Sequence, residues 1–295
     1  MNIESLKVYC EVIRARSFSK GARALGISQP AASQAVRTLE GELGVALVDR
    51  SQRPLLPTPA GQRYYTGIQA LLRQYEQLNE EVRSHQDEHE GTVRVAAIYS
   101  VGIQAMSRCT QIFQAKYRKA RVRIEYLRPN RVIEAVMNET SDFGVLSFPS
   151  SSQNLNVIPL WTEKMVFVCK PEHRLSIRKG IAAGDLEGED MVSFDHDLVI
   201  RRVIDRALAK RHIHVNVHME FDNIESIKEA IRAGAGVAIL PEPSVRREAE
   251  AGSLVALPIA IPELVRPIGA LLRRRRQPST LTSAFIDLLK QHPTI

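Results

Sequence analysis

Cysteine is scarce: Cys10, Cys109 and Cys169 are the three in 295 residues. An odd set without CxxC spacing argues against a disulfide framework and against structural zinc. Each lies among apolar neighbours and reads as a buried thiol. The alternative, redox sensing through Cys109 or Cys169, has no paired low-pKa environment in the sequence to support it. Long apolar runs are missing too. No stretch reaches the roughly 18 residues that a membrane span needs, and Glu4, Lys7 and Glu11 interrupt the N-terminus where a secretion signal would need an apolar core. The expected location is cytoplasmic, with no membrane partner. Catalytic signatures are also absent. There is no dinucleotide fingerprint, no Walker loop, no HExxH and no legible nucleophile–base–orienter set, so an enzyme is not expected. His212, His214 and His218 alternate as ligands on one strand face would, but Asn216 breaks the set. No metal and no cofactor is expected.

What is present is an ordinary globular composition, 44% hydrophobic and 25% charged, in a chain long enough for two or three domains. The net charge of +7 is unevenly spread: residues 1–60 carry +3, residues 61–90 carry −3, and the remaining +7 lies in residues 91–295. A basic C-terminal part suits an anionic small ligand or a solvated cationic surface. The run 273–276, four arginines at a strand end before Pro278, is read as solvated.

The most informative stretch is 17–40, SFSKGARALGISQPAASQAVRTLE. It reads as two helices around a turn at Gly26 and Ile27. Ser28 supplies an N-cap and Pro30 fits the first turn, where a missing N–H costs little. Ala32, Ala35, Val36 and Leu39 form one buried stripe. The opposite face carries Gln29, Ala31, Ser33, Gln34 and Arg37. Small residues let a backbone approach a major groove, amides pair with adenine edges, and arginine reaches guanine or phosphate; the plain alternative is a solvated helix face. Residues 45–61 follow as two short extended runs flanking a basic tip with Arg50 and Arg53, a wing that would bring both near phosphates. Residues 2–14 form a preceding helix with Leu6, Tyr9, Cys10 and Ile13 inward.

These residues carry a dense resemblance. Tyr9, Ser17-Phe18-Ser19, Ala22, Leu25, Ser28-Gln29-Pro30, Ser33, Leu39-Glu40, Leu43-Gly44, Leu47, Arg50 and Thr58-Pro59-Ala60-Gly61 match the N-terminal pattern of LysR-type transcriptional regulators, which the chain resembles. Gly21 and Val48 depart from it, in place of the usual Ala and Phe. A helical Gly costs roughly 1 kcal/mol relative to Ala, which puts the departures on stability and off the reading face. The resemblance implies double-stranded DNA as a partner, read at an inverted repeat by Ser28, Gln29, Pro30, Ala31, Ser33, Gln34, Arg37, Arg50 and Arg53. It also implies a dimer that pairs into a tetramer, and it allows RNA polymerase as a further partner.

From Thr58, a good N-cap, a helix of near 40 Å is expected to run to about residue 85. Tyr64, Ile68, Leu71, Tyr75, Leu78 and Val82 recur at steps of four and three. This is a heptad seam for burial against a second copy. Charged residues 87–91 mark a boundary. The expected domains are therefore a winged helix-turn-helix head (1–60), a dimerisation helix (61–90) and an effector domain (91–295).

Beyond that boundary, strands and helices alternate. Strands are expected at 92–98, 122–127, 143–147, 155–160, 164–170, 191–194, 215–221, 237–240 and 267–273, and helices at 101–119, 130–139, 198–210, 224–233, 244–251 and 280–291. Such alternation builds mostly parallel sheets covered on both faces. Two lobes, 91–161 with 267–295 and 163–265, would be joined by two crossings. GTVRVA at 91–96 and EFDNIESIKEAIRAGAGVAILP at 220–241 resemble the two-lobed, periplasmic-binding-protein-like effector domain of the same family. Ligands of open α/β sheets sit at carboxyl ends of strands, beside helix N-termini. That selects Ser100, Val101, Gly102, Arg128, Arg131, Phe148, Ser193 and Asn223 for a small, anionic effector. Helix capping is the alternative role for each polar one.

Overall fold

The computed structural model describes residues 2–84, 90–101 and 103–292, in an N-terminal and a C-terminal compact unit. The boundary expected at 87–91 lies outside the described residues as far as residue 89.

The N-terminal unit packs α1 (Ile3–Ala15), α2 (Phe18–Ala24) and α3 (Gln29–Leu43), followed by a two-stranded hairpin, β1 (Val48–Asp49) against β2 (Leu56–Pro57), and the long α4 (Pro59–Ser84). The helix starts are fixed by side-chain caps. Asn2 Oδ1 accepts from Ser5 N at 2.8 Å and Ser28 Oγ from Ala31 N at 3.3 Å, each satisfying an otherwise orphaned donor. Gly26 turns the chain between α2 and α3 at φ 69°. The core gathers Leu6, Tyr9, Val12, Ala32, Val36 and Leu39 with Leu47 and Val48 of the hairpin and Ile68 and Leu72 of α4. Cys10 is only half-buried; Val8 and Val12 complete the α1 stripe instead.

Gly21 is a position of close approach rather than only a weak helix former. A Cβ there would lie 2.8 Å from Val12 Cα, so α1 and α2 would have to part to admit alanine. The helix-propensity cost is offset by that contact. Val48, 3% exposed, fills its place in the core.

In the C-terminal unit one sheet runs through both lobes, in the order β10-β6-β11-β5-β3-β4 with β9 also on β6. Here β3 is Gly91–Ile98, β4 Ala120–Leu127, β5 Phe143–Ser147, β6 Leu155–Cys169, β9 Ala238–Pro241, β10 Val255–Pro258 and β11 Val265–Arg273. The two strands expected at 155–160 and 164–170 are one strand, β6, continuous through Trp161. Its first half pairs with β11 in lobe one, its second with β9 and β10 in lobe two. The β3–β4 and β3–β5 pairs are parallel, and every pair made by β6 and β11 is antiparallel, so the sheet is mixed. The strand β10 lies outside the sequence-based expectation.

In lobe one, α5 (Ile103–Lys116) and α10 (Thr280–Gln291) cover one face, where Phe285 meets Phe113 at 5.1 Å and Phe143 at 6.2 Å between centroids. Gly144, the next residue along β5, faces Val132 and Val136 of α6 (Pro129–Met137) on the other side, as strand alternation requires. In lobe two, β7 (Asp190–Phe194) and β8 (Asn216–Phe221) pair in parallel, and α7 (Val199–Ala209), α8 (Ile224–Arg232) and α9 (Glu242–Glu250) surround a separate core. His212 is in a turn at φ 56° and His214 precedes β8, so only His218 of the three is in a strand. Their apparent alternation is not that of one strand face.

Candidate functional site

In α3, Ala32, Val36 and Leu39 are fully buried, while Ser28, Gln29, Pro30, Ala31, Gln34 and Arg37 are exposed and Ser33 half-exposed. The helix therefore presents a continuous face of small, amide and cationic side chains. At the hairpin, Arg53 is exposed at the tip. Arg50 is engaged differently from the expectation. Its guanidinium reaches Glu40 Oε2 at 2.7 Å and lies 5.8 Å from the Phe18 ring centroid. Glu40 also accepts the Leu47 and Val48 amides at 2.9 and 3.1 Å. Arg50 thus ties the hairpin to α3, and Arg53 is an exposed cation at the hairpin tip.

The heptad residues of α4 separate into two sets. Ile68, 7% exposed, is part of the head's own core, and Tyr64 packs against Tyr9 at 5.6 Å between centroids. Ile68 is thus buried within the head, and Tyr64 is half-buried beside Tyr9. Leu71, Tyr75 and Leu78 stay 45%, 40% and 57% exposed, an apolar row left uncovered by the described residues. The Val82 side chain lies outside the described ones.

The two segments crossing between the lobes belong to β6 and β11 and pair with each other: Glu163 opposes Arg266, Thr162 opposes Pro267 and Lys164 opposes Val265. Arg266 is 1% exposed and Glu163 5%. Arg266 Nε donates to Glu163 Oε2 at 2.7 Å, and its two terminal nitrogens donate to the hydroxyl and carbonyl of Ser100, each at 3.0 Å. Trp161 Nε1 donates to Glu163 Oε1 at 3.0 Å. Burial pushes the Arg266 guanidinium down from its ordinary value, and the Glu163 carboxylate opposes that shift. Sequence reasoning missed Arg266 and Glu163. Charges beside each apolar run, Glu163-Lys164 in one and Arg266 in the other, read as strand ends, and only the pairing of Glu163 with Arg266 lets both strands continue.

Among the expected ligand contacts, Ser100 is therefore held by Arg266. Val101 is buried in the lobe-one core, which leaves its backbone alone to serve a ligand, and Gly102 lies outside the described residues. Asn223 is a helix cap: its Oδ1 accepts from Ser226 N at 2.8 Å and its Nδ2 donates to Asp222 at 3.0 Å, so its acceptor is spent on α8. Arg131 pairs with Glu134 at 2.5 Å along its own helix. Arg128 instead crosses to lobe two, reaching Asp195 at 3.1 Å and Asp222 at 3.0 Å. Phe148 follows β5 in lobe one with φ 52°, rare for an aromatic residue, and packs against the lobe-two core. Its N–H donates to Pro267 O at 2.8 Å. Ser193, 3% exposed on β7, has no hydrogen-bond partner for its hydroxyl among the described residues.

Residues 3–62 match the family model for the bacterial regulatory helix-turn-helix protein, lysR family, and residues 86–294 that for the LysR substrate binding domain. The chain belongs to the LysR family of transcriptional regulators. It is 31% identical over 262 residues to a probable RuBisCO transcriptional regulator of Cyanophora paradoxa, covering 86% of this chain and 80% of that one. It is 24% identical over 295 residues to a hydrogen peroxide-inducible genes activator of Pectobacterium carotovorum subsp. carotovorum, covering 99% and 97%. Full-length CbnR complexed with its target DNA superposes with a TM-score of 0.79 at 18% identity over 99% of both chains, a likeness of fold. The protein is thus a DNA-binding transcriptional regulator with an effector-binding domain, in a family of regulators rather than enzymes. No helix among the described residues is long and apolar enough to cross a membrane.

Proposed function

We propose that residues 1–60 read an inverted-repeat site through the exposed face of α3, that residues 61–90 join two such heads, and that residues 91–295 respond to a small anionic metabolite held between the lobes. The observation that carries the DNA reading is the sharp division of α3, with Ala32, Val36 and Leu39 buried behind exposed Gln29, Ala31, Gln34 and Arg37. Gln29→Ala or Arg37→Ala is expected to weaken binding to the natural operator by about 1–3 kcal/mol and relax base preference at the contacted positions. Arg53→Ala is expected to weaken binding to all sequences alike and lower the salt slope. Fluorescence anisotropy against operator and scrambled duplexes separates these outcomes. Unchanged operator affinity in all three variants would remove α3 and the hairpin tip from the interface.

The apolar row Leu71, Tyr75, Leu78 supports self-association through α4. A Leu71→Asp chain is expected to sediment as a smaller species than wild type and to lose operator binding. Wild-type mass in velocity sedimentation would move the dimer contact elsewhere.

For the effector, helix starts and polar groups at the carboxyl ends of the strands favour an anion, and the buried Ser193 hydroxyl, without a partner among the described residues, supports a polar contact from lobe two. Peroxide sensing, suggested by the Pectobacterium relative, finds less support. Cys109 and Cys169 are 1% and 0% exposed, in the cores of different lobes. Burial raises the Cys109 thiol above its ordinary pKa and, with the nearby Glu189 charge, pushes Cys169 up to about 11. Both are protonated at neutral pH, the less reactive form.

A further inference from the structure

We infer that Arg128 latches the two lobes together and that an anion taking Arg128 releases them. This rests on the reading of the cleft as the effector site.

Arg128 stands just past the end of β4 in lobe one, and its partners Asp195 and Asp222 stand just past the ends of β7 and β8 in lobe two. One guanidinium nitrogen serves both carboxylates, at 3.1 and 3.0 Å. The first two arginines of α7 in lobe two are engaged elsewhere: Arg201 by Asp205 and Glu220, and Arg202 by the Asp197 carbonyl at 2.9 Å. Asp222 is further held by the Asn223 amide, itself fixed by capping α8. The two acids are therefore pre-placed, and the positive charge that offsets them comes from the other lobe. Remove it and two carboxylates share one edge of the cleft, which is unfavourable.

The latch is built to be opened. The Arg128 side chain is 51% exposed and its partners 30% and 41%. Exposed ion pairs are individually weak and screened by salt. A ligand carboxylate that engages the guanidinium with two oxygens makes the stronger contact. An anion at Arg128 thus works as a wedge: it satisfies lobe one and leaves lobe two with unbalanced acids, shifting the population toward parted lobes. Phe148, packed on the lobe-two core, keeps a second, apolar contact that an anion does not disturb, so release would be an opening at one edge.

The test is the distance between nitroxide labels at Arg118→Cys in lobe one and Ile177→Cys in lobe two, both exposed, in full-length Cys10→Ser protein diluted with unlabelled chains. Pulsed dipolar spectroscopy on the parent is expected to give one narrow distribution at low salt that broadens at high salt. Arg128→Gln, and separately Asp195→Asn with Asp222→Asn, should show the broad distribution already at low salt. The open fraction should rise about five-fold, as roughly 1 kcal/mol of exposed pairing converts. Exchanging the charges, Arg128→Asp with Asp195→Arg, should restore the narrow one, which no merely misfolded variant would do. An Arg128→Gln distribution identical to the parent at both salts overturns the latch. Succinate at constant ionic strength is the anion probe. It should widen the parent and leave Arg128→Gln unchanged. A working latch that ignores succinate, acetate and sulfate counts against the anionic effector and the release by anions, and leaves the inter-lobe pairing standing.

Discussion

Arg266→Met is expected to cost the C-terminal unit about 3–5 kcal/mol, the range for breaking a buried ion pair from one side. Methionine nearly fills the volume, so the loss is electrostatic rather than a cavity. Glu163, 5% exposed, is left as a buried carboxylate whose remaining donor among the described residues is the Trp161 indole. The Ser100 hydroxyl and carbonyl lose their arginine as well. Adding Glu163→Leu should recover most of the stability, because apolar replacement of both partners is often neutral. Urea unfolding followed by Trp161 emission reads the effect where it arises, since Trp161 is the chain's single tryptophan. A single variant within about 1 kcal/mol of wild type would mean that water reaches the pair and that the network is not buried in solution.

The second large effect is expected in the head. A Cβ on Gly61 would lie 1.9 Å from the Leu47 carbonyl oxygen and 3.0 Å from the Tyr9 hydroxyl. The obstacle is backbone, and this backbone is held from several sides. Leu47 O accepts from Thr58 N at 3.1 Å, Leu47 N donates to Glu40 at 2.9 Å, and the Tyr9 hydroxyl donates to Gly61 O at 2.8 Å. Relief requires the hairpin to leave α4 or α1 to tilt. Gly61→Ala should therefore cost about 3 kcal/mol, the upper end for overpacking, and weaken operator binding with no change to the reading face. Amide exchange across residues 45–62 of the full-length chain should quicken at least ten-fold. Unchanged protection there would show that the hairpin and α4 do not meet at Gly61.

The contrast between these two sites explains what could be read from the sequence. The head was legible because its turns and starts use residues with specific backbone chemistry: Asn2 and Ser28 at caps and Gly26 in the turn. Its core stripe in α3 follows a helical period without interruption. The alternating lobes were legible for the same reason, and the ends of β5 and α10 fall where periodicity puts them. The crossing was not. Trp161, Thr162 and Glu163 break the apolar run of β6, and Arg266 breaks that of β11. Local pattern cannot reveal that the two interruptions face each other. The expected ligand residues show a related ambiguity. Asn223 and Arg131 satisfy groups on their own helices, whereas Arg128 reaches another lobe, and all three look alike in sequence. Tyr64 and Ile68 keep the heptad spacing yet face α1, because the period fixes a stripe without naming what covers it.

The crossing has a mechanical consequence. Two strands that stay hydrogen-bonded from Lys164–Val265 to Leu155–Arg273, with one register shift at Ile268–Gly269, form a leaf spring rather than a pair of loose strings. A loop hinge would let the lobes swing freely and would return no force. A paired ribbon keeps its ladder only if it bends and twists as one piece, so small displacements at the cleft are returned elastically and large ones cost broken backbone bonds. A regulator built on such a ribbon should signal through modest, graded changes of angle, and the softest point along it is the register shift beside Pro159.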